Sequence, residues 1–339
     1  MTLLSEIEPN ADFMYPYEFD YQKPVDMRSY VWYRIGKMHC YGLGTQQDYE
    51  KAFEWFLKSA EEGNKFAQYS LGNLYYYGNG TDKDLSQAFQ WYMKSAQQGQ
   101  PYASYAVAQM YSKGEYVTKN EGAAQRYYKA ALSGFLELES KDQTDDNLYY
   151  KLGSMFKKGL GTDIDMDKAI DYFKRSAEMN NTNAKRTLAL EYISGKHLEL
   201  DIEKGLEMLT VCADRGDTLS CYKLGKIYFK GEIVYKDLNM AEKYFLKASQ
   251  KENQYAYYSL GKLYLEEHCL DKAVWCFEKA LKYEEIKPYA EYSLAKIKLD
   301  NTPYLDSEKA VSILELAAME NEWASFLSVS YTHLTLPTT

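Results

Sequence analysis

Residues 67–75 read Ala67-Gln68-Tyr69-Ser70-Leu71-Gly72-Asn73-Leu74-Tyr75, followed by a Gly78-Asn79-Gly80 turn and a second stretch from Leu85 to Gln98. The unit reads as two helices. A small residue, Gly72, lets a neighbouring helix approach closely. The glycines of the turn supply positive φ where the first helix must stop. Asp84 stands where a short polar side chain caps the orphan N–H groups of the second helix. Four residues later, Ala88 is a second close-contact position.

The same setting recurs along the chain. Small residues stand at Gly36, Gly72, Ala108, Gly153, Ala189, Gly225, Gly261 and Ala295, in steps of 36, 36, 45, 36, 36, 36 and 34. An apolar residue precedes each of them, from Ile35 and Leu71 to Leu260 and Leu294. Capping residues recur at Asp48, Asp84, Asn120, Asp165, Asp201 and Asp237, and close-contact residues at Ala52, Ala88, Ala124, Ala169, Gly205 and Ala241. Such a period is the signature of a repeat array, in which each unit covers its apolar faces only against its neighbours. Proline interrupts helices, and between Val25 and Lys287 it occurs once, at Pro101, beside the start of a repeat. The predicted architecture is all-α, about 16 helices in antiparallel pairs with no sheet.

The 339 residues carry 40 basic and 49 acidic side chains, a net charge of −9. That balance argues against non-specific nucleic-acid binding. No apolar run approaches the roughly 20 residues of a membrane span, and the N-terminus lacks a basic signal-peptide region. The five cysteines, Cys40, Cys212, Cys221, Cys269 and Cys276, contain no Cys-x-x-Cys pair. They read as reduced thiols of a cytoplasmic protein, without a structural zinc site.

The leucine–glycine, tyrosine, double-glycine, capping-aspartate and lysine–alanine elements resemble the Sel-one-like repeat family, relatives of the tetratricopeptide repeat. The resemblance covers residues 29–327. It implies a right-handed α-solenoid of antiparallel helix pairs, with repeats near 31–66, 67–102, 103–146, 147–183, 184–219, 220–255, 256–289 and 290–323. Units seven and eight depart from the pattern: Cys269-Leu270-Asp271-Lys272-Ala273 lacks the glycine turn. Units one to four also look like the repeat region of Gram-positive conjugative-element relaxases, which makes an accessory region of such an enzyme an alternative reading. Residues 1–28 form an N-terminal extension, read as a cap or as part of a preceding unit. Val329-Ser330-Tyr331-Thr332-His333-Leu334 resembles a translated transposon-end adaptor, so residues 328–339 are read as a non-native tail.

The 45-residue step marks a nine-residue insertion that includes Phe135-Leu136-Glu137-Leu138-Glu139 and ends in Asp142, Asp145 and Asp146. Its spacing predicts a longer second helix projecting from the array. A tolerated elongation with a solvated acidic end is preferred to a docking spur.

Catalytic signals are weak. Four Ser-x-x-Lys pairs (Ser154/Lys157, Ser220/Lys223, Ser259/Lys262 and Ser293/Lys296) have the spacing used by penicillin-recognising enzymes. Some Sel-one-like proteins carry β-lactamase labels. All four pairs lie in or beside the repeat signature, however, and the partner motifs do not accompany them. Asp163, Asp165 and Asp167 alternate as in a calcium loop, but Lys168 and Lys174 occupy the positions that need glycine and glutamate. The expectation is a protein with no catalytic residues, cofactor or metal.

The informative surface is a column. Three residues before the small position stand Tyr33, Tyr69, Tyr105, Tyr150, Arg186, Tyr222, Tyr258 and Tyr292. One residue after it stand Lys37, Asn73, Gln109, Ser154, Leu190, Lys226, Lys262 and Lys296. Positions four apart share one helical face, and the resemblance places that face in a concave groove. Tyrosine offers large contact area and a hydroxyl for peptide backbone. The reading is therefore a monomeric scaffold that binds a protein or peptide segment, with units six to eight as the densest stretch. Tyrosines that simply pack between adjacent first helices are the alternative.

Overall fold

A computed structural model describes residues 27–301. The chain divides at Ala184/Lys185 into two compact units. The first holds α1 (Met27–Tyr41), α2 (Tyr49–Glu61), α3 (Lys65–Tyr77), α4 (Leu85–Gln97), α5 (Pro101–Lys113), α6 (Glu121–Ser140), α7 (Asp146–Lys158) and α8 (Met166–Glu178). The division falls inside α9 (Thr182–Ser194). The second unit continues with α10 (Ile202–Asp214), α11 (Thr218–Lys230), α12 (Leu238–Ser249), α13 (Gln254–Glu266), α14 (Leu270–Ala280) and α15 (Lys287–Asn301). All fifteen elements among the described residues are helices, packed in consecutive pairs. The expected second helix of the eighth repeat, the tail 328–339 and most of the extension 1–28 lie outside the described residues.

The ends of the helices follow the predicted chemistry. Asp48, Asp84, Asn120, Asp165, Asp201 and Asp237 each accept a hydrogen bond from the backbone N–H three residues on. First helices α3, α5, α7 and α11 stop at left-handed glycines, Gly78, Gly114, Gly159 and Gly231. The second glycine of the turn has a different task. A Cβ on Gly80 would stand 2.2 Å from the Tyr49 carbonyl oxygen, so this loop lies directly on the start of the preceding second helix.

Five of the pairs share one core contact, while unit three carries Ala108 and Tyr128 at the same two positions. The ring four residues after the close-contact alanine, such as Phe56, Tyr92, Phe173, Phe245 or Phe277, lies flat against the glycine of the first helix. A Cβ on Gly36, Gly72, Gly153, Gly225 or Gly261 would come within 2.5–2.8 Å of that ring. The rings are almost wholly buried. Unit five inverts the arrangement: the first helix carries Ala189, the second carries Gly205, and the ring is replaced by Leu209. A Cβ on Gly205 would meet Ile193 at 2.5 Å, so the small residue has changed sides.

A second recurring contact fixes the far end of the hairpin. The hydroxyls of Ser59, Ser95 and Ser176 each donate to a backbone carbonyl thirty residues earlier, on Ser29, Lys65 and Asp146, at 2.6 Å. All three serines are fully buried.

The insertion lengthens α6 to 20 residues, as its spacing predicts, but the helix does not project as a free spur. Phe135 is fully buried, 4.9 Å from Tyr102 between ring centroids. Glu139 accepts from the Tyr172 hydroxyl at 2.8 Å and from Arg175 at 2.6 Å. Nor is the acidic end solvated throughout. Asp145 is 2% exposed and caps α7 through the Leu148 N–H. The apolar face of the extension and its terminal carboxylates find partners, so burial wins over projection.

Unit five differs again at the column position. Arg186 stands in place of tyrosine and bonds both carboxylate oxygens of Asp217, at 2.7 and 2.8 Å. The two side chains are only 11% and 16% exposed, and Asp217 also caps α11 through the Ser220 N–H. Hydrogen bonds to a charged group contribute about 1.5–3 kcal/mol each. Arg186→Ala should therefore lower stability by about 2 kcal/mol or more, read as a lower urea midpoint.

The glycine–ring contact yields a cleaner test. Alanine is favoured over glycine in a helix by about 1 kcal/mol, whereas forcing a methyl group into a packed core costs about 1–3 kcal/mol. Gly225→Ala should destabilise the chain that keeps Phe245. The same substitution should stabilise a chain carrying Phe245→Leu, which reproduces the residue pairing of unit five. A double-mutant cycle by urea unfolding checks this reversal of sign.

Candidate functional site: the first-helix face

The predicted column occupies one face of the first helices, and its rings are held on two sides. Tyr33, Tyr69, Tyr105, Tyr150, Tyr222 and Tyr258 lie 5.3–6.0 Å, centroid to centroid, from the second-helix ring of their own pair. Tyr33, Tyr69, Tyr222 and Tyr258 also pack at 5.7–6.1 Å against Phe66, Tyr102, Tyr255 and Tyr289 of the next first helix. The column thus links repeats one to two, two to three, six to seven and seven to eight. Burial raises the pKa of the Tyr105, Tyr222 and Tyr258 hydroxyls; hydrogen bonds with Ser259 and Ser293 oppose the rise at Tyr222 and Tyr258.

In the first unit, Tyr69, Asn73, Tyr105, Gln109, Tyr150 and Ser154 line one groove of about 570 Å³. The groove crosses α3, α5 and α7. The Tyr92 hydroxyl donates to Asn73 Oδ1 at 2.7 Å. That bond fixes the amide and directs its NH₂ away from Tyr92. Three lysines, Lys83, Lys113 and Lys151, stand on the lining, with Glu115 as the one acidic residue of that lining. The Tyr76 hydroxyl donates to Glu115 at 2.8 Å, and Lys113 lies 3.5 Å from it. The ammonium group of Lys151 sits 4.4 Å above the Tyr105 ring. Tyr76 near the end of α3 and the turn residues Lys83 and Glu115 lie outside the column, and the sequence reading did not single them out.

Tyr33 and Lys37 do not line this groove. They are 3% and 6% exposed, and the Lys37 ammonium lies 5.6 Å over the Tyr33 ring.

In the second unit, Lys226 and Lys262 lie 5.9 and 6.0 Å over the rings of Tyr222 and Tyr258, one turn earlier on α11 and α13. Burial holds the Lys226 ammonium below the ordinary lysine pKa, and the charges of Lys223, Lys230 and Lys262 lower it further. Tyr292 is half-buried and Lys296 exposed on α15.

The Ser-x-x-Lys serines have structural surroundings. Ser220 is fully buried, and Ser259 and Ser293 face tyrosine hydroxyls of the preceding repeat. Ser154 lies on the groove lining. All five cysteines are free thiols. Burial pushes the Cys276 thiol up to about 12 and raises Cys212 and Cys221 as well. The Asp165 carboxylate is committed to capping α8 and to Lys168, 3.0 Å away. Among the described residues no helix is long and apolar enough to cross a membrane.

Comparison with known proteins places this geometry. The Sel1 repeat matches residues 33–64, 65–100, 101–134, 148–181 and 218–253, together more than half of the chain. No curated protein matches. Among solved structures, the chain is similar to c5321, a protective antigen of uropathogenic Escherichia coli with an SLR fold. The two are 24% identical with a TM-score of 0.50, over 87% of this chain and 62% of that one. The match thus spans less than two thirds of the c5321 chain. A Sel1 repeat protein from Oxalobacter formigenes is 28% identical with a TM-score of 0.49, over 68% of this chain and 92% of its own. Yeast Tom70 is 16% identical with a TM-score of 0.41, over 86% of this chain and 76% of its own. The likeness to c5321 shows the solenoid fold alone. The relaxase resemblance draws no support from the family match or from these structures. Proteins built from such repeats are generally protein-interaction scaffolds. Five matched repeats, four of them built on a glycine–ring pair, make the chain a member of the Sel1 repeat family.

Proposed function

We propose that the chain is a non-enzymatic scaffold that binds an extended segment of a partner protein along its first-helix face. The observation that carries this reading is the groove of about 570 Å³ across α3, α5 and α7, where aromatic rings alternate with amide side chains. Rings supply contact area without much loss of side-chain entropy, and amides supply donors and acceptors for a peptide backbone. The column positions outside the groove, Tyr222 with Lys226, Tyr258 with Lys262 and Tyr292 with Lys296, extend the proposed face through the second unit. The scaffold acts as a cytoplasmic monomer and contacts neither nucleic acid nor membrane directly.

A photo-crosslinking amino acid tests the face in the source cell. Placed at Gln109 or Lys262, on first helices, it should yield covalent protein adducts. Placed at Glu54 or Asp171, exposed on second helices, it should yield none. The reverse pattern overturns the reading. With the crosslinked partner in hand, Lys226→Glu combined with Lys262→Glu should weaken binding while helical circular dichroism stays unchanged. Exposed charge contacts are individually modest and weaken with salt, so the loss should be larger at low ionic strength.

A further inference from the structure

We infer that the groove of the first unit selects an acidic polypeptide segment, a refinement that rests on the scaffold reading above. The inference comes from the balance of donors and acceptors on the lining. Asn73 has its carbonyl oxygen held by the Tyr92 hydroxyl at 2.7 Å, which leaves the amide NH₂ as the group it offers. A primary amide carries two N–H donors. Gln109 occupies the same register one repeat later and lines the same groove. Three lysines stand on the lining against one carboxylate, Glu115. That carboxylate is already engaged by Tyr76 and Lys113. Hydroxyls and amide oxygens on the lining can accept as well as donate, so what the groove lacks is negative charge: three ammonium groups stand against one carboxylate. Backbone carbonyls match the amides, and Asp or Glu side chains match the ammonium groups.

Charge on the whole chain sharpens the point. The protein carries a net charge of −9, so its general field repels an acidic segment. Recognition of such a segment has to come from a local reversal of sign, and the groove provides one. The geometry also sets a minimum length. Neighbouring packed helices lie about 10 Å apart, so three first helices span about 20 Å. An extended chain rises about 3.3 Å per residue and needs about six residues to cross them. Stacked bases need an open ring face; the Tyr69 ring packs against Tyr92 and Tyr102, and the Lys151 ammonium covers the Tyr105 ring, which favours a polypeptide over a nucleic acid.

The test uses the full chain and a phage-displayed library of random dodecapeptides. Peptides retained by the wild-type chain should be enriched in Asp and Glu over the unselected library. A synthetic copy of a retained peptide should bind Asn73→Asp about tenfold or more weakly, the factor expected when an amide–carbonyl hydrogen bond is lost and a carboxylate repels the acidic segment. This substitution keeps the oxygen that Tyr92 bonds, so the melting temperature should not change. Lys83→Glu, at an exposed turn position, provides a second variant of the same sign should Asn73→Asp disturb the fold. Lys174→Glu, exposed on the second helix α8, should leave the affinity as it is. The inference is overturned if no peptide is retained, if the retained set is neutral or basic, or if Asn73→Asp and Lys83→Glu bind as tightly as wild type. It is overturned equally if a single-stranded oligonucleotide displaces the peptide as well as the peptide itself does. Should these results come with crosslinks from Gln109, the scaffold reading stands and only the acidic class falls. Should the Gln109 and Lys262 crosslinks fail as well, both fall.

Discussion

At Gly225 the ring of Phe245 lies where a side chain would begin, 2.5 Å from the position of a Cβ. The same approach recurs at Gly36, Gly72, Gly153 and Gly261. A ring against bare backbone occupies the space that a Cβ would need at these five positions. Once that contact is set, other features follow from it. The capped turn has to be short, the second turn glycine has to sit on the preceding helix, and the column tyrosine has to close over the ring from the groove side. Interiors packed at crystal-like density transmit such a constraint, because a displaced ring has nowhere to go. Unit five shows the constraint from its other side. There Leu209 stands in place of the ring, the first helix carries Ala189, and the glycine lies on the second helix as Gly205.

Much of this was legible as register. A column of small residues at a fixed step has few causes other than close helix approach, and short polar residues after a glycine turn have few causes other than capping. The ring column was in equally good register four residues after Ala52, Ala88 and Ala241, but aromatic residues are so frequent here that it did not stand out. Tyrosine alone occurs 35 times. The serine bonds to Ser29, Lys65 and Asp146 were not legible. Their partners are backbone carbonyls thirty residues away, and a carbonyl leaves no mark in a sequence. The periodicity of α6 reported its length but not its direction. Where the extra turns go depends on the partners that Phe135 and Glu139 find, Tyr102 in one case and Tyr172 and Arg175 in the other.

The candidate face was legible in part for a similar reason. Spacing of four placed Tyr69 with Asn73 and Tyr105 with Gln109, and these do share a groove. Spacing could not say which repeats form it. The lining also includes Tyr76, near the end of α3, and the turn residues Lys83 and Glu115, which stand outside the column. The emphasis on units six to eight followed lysine density alone. In the second unit those lysines lie over the rings of Tyr222 and Tyr258, and mutual repulsion with burial depresses the Lys226 ammonium.

The two readings of the tyrosine column, packing and binding, are not alternatives in physical terms. The Tyr69 ring packs against Tyr92 of its own repeat and Tyr102 of the next, and half-burial leaves the remainder toward the groove. A ring fixed on two sides loses little further entropy when a ligand covers the third, which is the condition for cheap contact area. The same fixation means that truncating a column tyrosine removes core packing together with any ligand contact. The division of labour therefore runs between the two columns rather than within one. Rings at the first position hold the repeats in register. Polar residues one turn later, Asn73, Gln109, Ser154, Lys226 and Lys262, vary from repeat to repeat at small structural cost. Chemical selectivity can change at those positions while the glycine–ring spacing beneath them stays the same.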